Sequence, residues 1–286
     1  MAAKSEILIL ASGNGTNAEY IVGNMQKKKL PANFTGGCNR TRANAGVYDK
    51  LEKLGVQVHY LPSPGDDFSK LRDFLGEPPR FDLVVMAGFM RILPGEIVKR
   101  NTVLNIHPSI LPWFYMGSED AYTDAACNGD MYTGCTVHMA TEEVDAGPRM
   151  GQIGFEIPKT IRDSRSEAMD EELKRISGLL KTKHPKDLVE AKHALDSFDA
   201  KFAGNNLDLL KAVGLAHEHA LYSEVIYSYC MDKPLDMNVV AAAAQNNLKV
   251  RGLPETETII PAYGSRVFKG FGSKTLEARL CAVYGR

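Results

Sequence analysis

Residues 7–18 read Ile7-Leu8-Ile9-Leu10-Ala11-Ser12-Gly13-Asn14-Gly15-Thr16-Asn17-Ala18. Four consecutive apolar residues without polar alternation fit a short strand buried on both faces. Ser12, Gly13, Asn14 and Gly15 then form a tight turn. Beyond it Tyr20, Ile21 and Met25 recur at helical spacing. A buried strand, a glycine turn and a helix in that order open an α/β fold with a parallel sheet.

Working outward, the alternation of apolar runs and helical patterns continues. Further strands are predicted over 34–38, 56–61, 83–87 and 103–106, with 133–140 and 152–157 pairing nearby. Helices are predicted over 43–54, ending at Gly55, and over 68–75, broken by Pro78-Pro79. Near residue 160 the composition changes. Ser164-Arg165-Ser166-Glu167 has capping-box spacing, and Met169, Leu173, Ile176 and Leu180 follow on one helix face. Pro185 interrupts, and Leu188, Ala191, Leu195, Phe198 and Phe202 form a second stripe. This reads as a charged helical hairpin. Leu207, Leu210, Val213, His217 and Leu221 mark another helix, and the last fifty-odd residues read as short β-like runs and turns. Ala241 to Ala244 points to neither structure. The expected domains are 1–158, a helical insertion at 159–203, a return of the first domain as helix plus hairpin at 204–254, and an extension at 255–286.

The chain has 286 residues, 44% hydrophobic, with net charge −1. That supports a real core and gives no field for nucleic acid or an anionic membrane. Lys27-Lys28-Lys29 is a solvated helix end. Five scattered cysteines without CxxC spacing fit reduced thiols. There is no secretory leader pattern and no stretch of the ~20 apolar residues that a membrane span needs. A cytoplasmic protein is expected, with oligomeric state open and a homodimer among the alternatives.

The second informative stretch is Asn105-Ile106-His107-Pro108-Ser109-Ile110-Leu111-Pro112. Residues i and i+2 of a strand share a face. Asn105 and His107 therefore converge, and Pro108 stops the strand beyond them. An amide donor beside an imidazole suits a developing oxyanion. Asp145, in Glu142-Glu143-Val144-Asp145-Ala146-Gly147-Pro148, lies on a turn that Gly147-Pro148 forces. Its carboxylate can orient His107 and keep it charged. Glu142 and Glu143 read more simply as solvated acids.

Gly13-x-Gly15-x-x-Ala18 suits a phosphate at the helix N-terminus. A NAD-type site wants an acid at the end of the second strand, where this chain has Cys38-Asn39-Arg40. A 2′-phosphate on Arg40 stays open; a single phosphate is simpler. Gly88-Phe89-Met90-Arg91-Ile92-Leu93 either lines a cleft for a flat heterocycle or packs into the core. His138 reads as a core histidine. No residue set has metal-ligand spacing, so no metal is expected, and no Ser sits in a GxSxG turn.

With these residues in hand, the chain resembles the folate-dependent phosphoribosylglycinamide formyltransferases. The carrying motifs are SGNGTN (12–17), CNRTRANAG (38–46), MAGFMRIL (86–93), NIHPSILP (105–112) and TGCTVHMATEEVDAGP (133–148), with a weaker echo in EHALYSEVI (218–226). The resemblance implies an α/β, Rossmann-like, mostly parallel sheet flanked by helices. It implies formyl transfer from 10-formyltetrahydrofolate, as co-substrate, to the amine of glycinamide ribonucleotide. By motif, Asn105, His107 and Asp145 would be catalytic. Gly13, Asn14, Gly15, Thr16 and Asn17 would hold the phosphate, with Lys70 adding charge and Glu218 meeting the ribose. Met90, Arg91, Ile92 and Leu93, with Ala140, Thr141, Glu142 and Val144, would hold the folate head.

Three departures stand out. The loop after Pro112 is one residue longer than the family pattern. Tyr122 stands where the family often has His. The segments 160–203 and beyond 254 have no counterpart. Alternative readings are a formyltransferase for another amine such as an amino-sugar nucleotide, a formyltetrahydrofolate hydrolase, and a non-catalytic folate- or nucleotide-binding protein. A transfer-RNA formyltransferase would want a basic C-terminal domain that the scattered charges after 230 do not supply.

Overall fold

The buried strand at the start of the chain becomes β1 (Ser5–Ala11), whose Ile7 to Ala11 are wholly buried in a computed structural model of the chain. The structure describes residues 4–259 except 113, 119, 163–170, 173–174, 177, 180–185, 188, 192 and 195–205. The glycine turn leads into α1 (Thr16–Lys27), which presents Ala18, Ile21, Val22 and Met25 to the sheet. Then come β2 (Ala32–Cys38), α2 (Val47–Glu52), β3 (Val58–Tyr60) and α3 (Ser69–Leu75). They are followed by β4 (Leu83–Met86), α4 (Gly95–Arg100) and β5 (Val103–His107).

The predicted helix over 43–54 is interrupted. A single 3-10 turn at Arg42–Asn44 precedes α2. The cause is a close approach: a Cβ on Gly46 would lie 2.6 Å from the Asn14 side chain, so this backbone packs against the glycine turn. Gly55, with φ +76°, closes the segment as expected.

The second half begins with α5 (Ala121–Asn128), β6 (Tyr132–Met139), β7 (Arg149–Glu156) and α6 (Lys159–Arg162). It ends with α7 (Asn206–Cys230), α8 (Met237–Val250) and β8 (Thr258–Ile259). One eight-stranded sheet runs in the order β3-β2-β1-β4-β5-β6-β7-β8. Its first five strands are parallel and the last three are added antiparallel. The mostly parallel, Rossmann-like α/β reading therefore holds. The strand order reverses direction at β1, where the neighbours are β2 on one side and β4 on the other.

One expectation is corrected. The described residues after 230 are not mainly β-like: 237–250 form α8, so the described part of 204–254 holds two helices rather than a helix plus hairpin, and the part of that expectation beyond 259 lies outside the described residues. Asp236 caps α8 by accepting from the Asn238 amide at 2.9 Å, and the alanine run at 241–244 supplies helix-favouring residues. Within the expected hairpin, the described residues between 171 and 194 are helical, and Ile176 and Ala191 are buried. Arg175 pairs with both Glu172 and Glu190 at 2.8 Å. The capping box at 164–167 and most of both apolar stripes fall outside the described residues.

The core lies on both faces of the sheet. Ile7, Ile9, Val85 and Leu104 meet α1 and α7 on one side, while Leu8, Leu10, Val84 and Met86 meet α3 and α4 on the other. No helix among the described residues is long and apolar enough to cross a membrane.

Candidate active site

In an open α/β sheet the loops beyond the carboxyl ends of the strands, near the reversal of strand order, are where ligands bind. Here those loops follow β1, β4 and β5. Gly15, at φ +74°, turns the chain from β1 into α1, and a Cβ there would lie 2.6 Å from the Val47 side chain. Gly15 occupies the cap position and has no side chain, so the first amides of α1 are left for another acceptor. The Gly13 carbonyl receives the Val47 amide at 3.3 Å, which ties the turn to α2. The loop after β4 joins it through Ser12: its amide donates to the Gly88 carbonyl at 3.0 Å, and its hydroxyl accepts from the Met90 amide at 2.9 Å.

β5 carries Asn105 and His107 on one face. Across the antiparallel pair, Asn105 stands opposite His138 and His107 opposite Thr136. Directly opposed residues meet side chain to side chain, and Asn105 Nδ2 lies 3.3 Å from His138 Nε2. His138 Nδ1 is 3.0 Å from the Met139 carbonyl, a geometry that suits a proton on that nitrogen. Nε2 then accepts from the Asn105 amide. One Asn105 N–H is used in this way, and the amide group is held with its second N–H directed elsewhere.

Asp145 comes from the turn after β6. Its φ of +57° lies in the left-handed region that Asp tolerates better than most residues. Asp145 Oδ2 is 3.2 Å from His107 Nδ1 and accepts from the Gly117 amide at 3.0 Å. Its Oδ1 is 3.5 Å from His138 Nε2. The side chains of His107, His138 and Asp145 are all buried. The structure thus brings the three predicted side chains together and adds His138 as a fourth member.

The electrostatics pull in opposite directions. Burial pushes the Asp145 carboxyl up. The neighbouring His138 ring, the His107 charge and the Gly117 amide outweigh it and hold the carboxyl below its ordinary value. For His107 burial is the largest influence and lowers the pKa, opposed by Asp145 and the Tyr115 carbonyl. The ring geometry favours the cation. Nδ1 faces Asp145, and Nε2 faces the Tyr115 carbonyl at 2.8 Å. Only the imidazolium donates to both. The arrangement therefore fits a charged ring whose proton leaves easily.

A buried polar bracket holds the segment after β5. The Thr136 hydroxyl donates to the Ser109 carbonyl at 2.7 Å and accepts from the Leu111 amide at 3.0 Å. Gln152 donates to the same hydroxyl at 2.9 Å.

The other expected site residues divide. Asn17 donates to Glu218 Oε2 at 3.0 Å, so Glu218 does sit beside the glycine turn. Lys70 opens α3 and lines a depression of about 410 Å³ with His59, Tyr60 and Asp73. Tyr60 is in register with Cys38 and Cys38 with Ala11, so this depression lies two strands from the turn along the same sheet edge. Met90 and Ile92 expose 66% and 70% of their surface, and Val144 beside Asp145 is also exposed. Leu93, however, is buried with Phe89 in the core. Arg91 pairs with Asp66 at 2.5 Å, and Glu142 pairs with Lys99 at 2.8 Å. Ala140 packs partly into the same core, and the Thr141 hydroxyl donates to the Glu143 carbonyl. Among the described residues, no group of three or more His, Cys, Asp and Glu side chains is arranged to hold a metal ion.

A doubly wound sheet with a glycine turn and a polar cluster at its carboxyl edge is the architecture of nucleotide-handling α/β proteins. Within that class the chain belongs to the formyl transferase family, whose model matches residues 5–176. The human trifunctional purine biosynthetic protein adenosine-3 is 37% identical over 150 residues, 50% of this chain but only 15% of that protein. The phosphoribosylglycinamide formyltransferase of Escherichia coli K12 is 34% identical over 148 residues, 50% of this chain and 68% of that protein. The glycinamide ribonucleotide transformylase 1 of Symbiobacterium toebii shares the fold. Its TM-score is 0.59 at 23% identity, over 81% of this chain and 90% of that one. The phosphoribosylglycinamide formyltransferase of Anaplasma phagocytophilum has a TM-score of 0.57 at 21% identity, over 80% and 88% of the two chains.

Proposed function

We propose that this chain transfers a formyl group from 10-formyltetrahydrofolate to the amine of glycinamide ribonucleotide, as a cytoplasmic enzyme of purine biosynthesis. The observation that carries the reading is the chain of side-chain contacts from Asn105 to His138 at 3.3 Å, His138 to Asp145 at 3.5 Å and Asp145 to His107 at 3.2 Å. The names of the relatives and the glycine turn support the choice of acceptor.

The neutral amine attacks the formyl carbon and forms the new C–N bond. Negative charge collects on the formyl oxygen, where the second Asn105 N–H donates to it and the His107 Nε2–H turns to it from the Tyr115 carbonyl. Collapse breaks the bond to the folate N10. The proton leaving the attacking amine reaches N10 through water, with Asp145 steadying the imidazolium throughout. Gly13, Asn14, Gly15, Thr16 and Asn17 hold the acceptor phosphate at the start of α1, and Lys70 adds positive charge along the same edge. The exposed Met90, Ile92 and Val144 give the flat pterin an apolar surface, with the backbone of 140–144 reading its edge. Placing both substrates in one cleft supplies much of the acceleration.

The test is direct. The protein is incubated with 10-formyltetrahydrofolate and glycinamide ribonucleotide, and the formylated product is followed by mass spectrometry. Product is expected with this acceptor. Product only with another amine moves the assignment to a different acceptor, and product only with water makes the protein a hydrolase.

A further inference from the structure

Glu218 lies on α7, and only 9% of its surface is exposed. Both of its carboxylate oxygens already have protein donors. Asn17 Nδ2 donates to Oε2 and the Tyr122 hydroxyl donates to Oε1, each at 3.0 Å. The Tyr122 contact is built into the backbone. Gly214 and Glu218 stand one turn apart on α7 and share a face. A Cβ on Gly214 would lie 2.3 Å from the Tyr122 ring, so the missing side chain is the slot that admits the ring. The ring is 5% exposed and also packs against Phe155, centroids 6.0 Å apart. One polar atom at this point is left over: Asn17 Oδ1 is buried and has no donor in the structure.

Asn17 belongs to the turn assigned to the acceptor phosphate, so the sugar attached to that phosphate reaches this corner next. A free carboxylate there would take two neighbouring hydroxyls, one on each oxygen. Here Oε2 is already engaged by Asn17, whose own oxygen is left without a donor, and Oε1 by a tyrosine held in place by its slot. We propose that Tyr122 sets the hydroxyl specificity of the acceptor site. Its phenol O–H occupies the Glu218 oxygen that a vicinal diol would otherwise engage. The enzyme then reads one acceptor hydroxyl, at Asn17 Oδ1, instead of a pair. This inference rests on the formyl-acceptor reading above.

The test compares kcat/KM for glycinamide ribonucleotide with the values for its 2′-deoxy and 3′-deoxy analogues. In the native protein one deoxy analogue should lose about tenfold or more, the scale of one hydrogen bond to a buried acceptor, and the other less than about threefold. In Tyr122→Phe the freed Glu218 oxygen should read the second hydroxyl, so both analogues should lose about tenfold. Gly214→Ala, which fills the slot with a helix-favouring residue, should displace the ring and give the same switch. The loss should appear in KM rather than kcat. The proposal is overturned if the native protein already penalises both analogues about tenfold, or if neither variant changes the pattern. Formylation of the ribonucleotide with an unchanged pattern removes only the Tyr122 assignment. Absence of any product with it removes the acceptor reading, and this proposal with it.

Discussion

Asp145 Oδ2 lies 3.2 Å from His107 Nδ1, and the two residues come from opposite ends of an antiparallel excursion, β5 to β6 and the turn beyond. The carboxylate is the opposite charge on that nitrogen, and it works against the burial that lowers the His107 pKa. The two groups therefore depend on each other for their charge states.

His107→Ala and Asn105→Ala should each cut kcat/KM by about 10²–10³, the usual cost of one oxyanion donor, while remaining folded. Circular dichroism and steady-state rates check this together. Near-native turnover in either folded variant would sink the assignment.

Asp145→Asn should lower kcat by about 10²-fold or more and also move the pH profile. The imidazolium is the donor, so activity is lost as pH rises through the His107 pKa. Removing the carboxylate takes away the influence that raises this pKa. The alkaline fall must then begin at lower pH than in the native enzyme. A limb that stays in place, or moves upward, contradicts the pairing.

The turn that carries Asp145 closes tightly on β6. A Cβ on Gly147 would lie 1.8 Å from the Met139 carbonyl oxygen, a backbone atom that cannot swing away. Gly147→Ala should destabilise the protein by about 1–3 kcal/mol and lower kcat by displacing Asp145. Gly13→Ala is the matched comparison, because a Cβ there meets nothing within 4 Å. It should leave the unfolding midpoint near native. Equal midpoints for the two variants would refute the steric argument.

Much of this architecture was legible from residues 7–18, because a doubly buried strand followed by a glycine turn has few alternatives. The i, i+2 spacing of Asn105 and His107 placed the cluster, and Gly147-Pro148 placed Asp145 on a turn. His138 was not legible as a partner. Its meeting with Asn105 depends on the register of β5 with β6, and residues 33 apart carry no local sign of that pairing. The apolar stripe from Leu207 to Leu221 showed only one face of α7. Tyr222, Val225 and Ile226 are buried as well, because α7 packs on the sheet and on α1, α5 and α8. The helix α8 was missed because a run of alanines has high helix propensity but almost no periodic contrast.

His217 gives a prediction about acid stability. It is fully buried, stacks on Phe155 with centroids 4.2 Å apart, and leaves Nε2 without a partner. Burial lowers its pKa to about 4, and that of neighbouring His219 to about 3. In the unfolded chain a histidine takes its proton near pH ~6.5. Between these values the unfolded state binds more protons, so stability falls as pH drops. His217 alone should cost about 3 kcal/mol by pH 4. His217→Leu should shrink the loss between pH 7 and pH 4.5 in urea titrations. An unchanged pH slope would show that His217 is not the group responsible.

Tyr222 connects α7 to the strands beneath the cluster. Its hydroxyl is fully buried, 2.7 Å from the Leu104 carbonyl and 3.2 Å from that of Met86. A phenol has one proton to donate, so the shorter contact takes most of it. Leu104 immediately precedes Asn105, and Met86 is the register partner of Asn105 in β4. The hydroxyl therefore steadies the backbone from which the amide donor projects. Tyr222→Phe keeps the ring and removes only this donor. It should cost about 1–3 kcal/mol of stability, since a buried donor to two backbone carbonyls is removed. Its effect on kcat should exceed its effect on KM, because the displaced group meets the formyl oxygen only as charge develops. Urea unfolding and steady-state kinetics measure the two parts separately. A variant as stable as the native chain would mean the hydroxyl contributes nothing net. A loss of stability with kcat untouched would confine Tyr222 to holding the helix on the sheet.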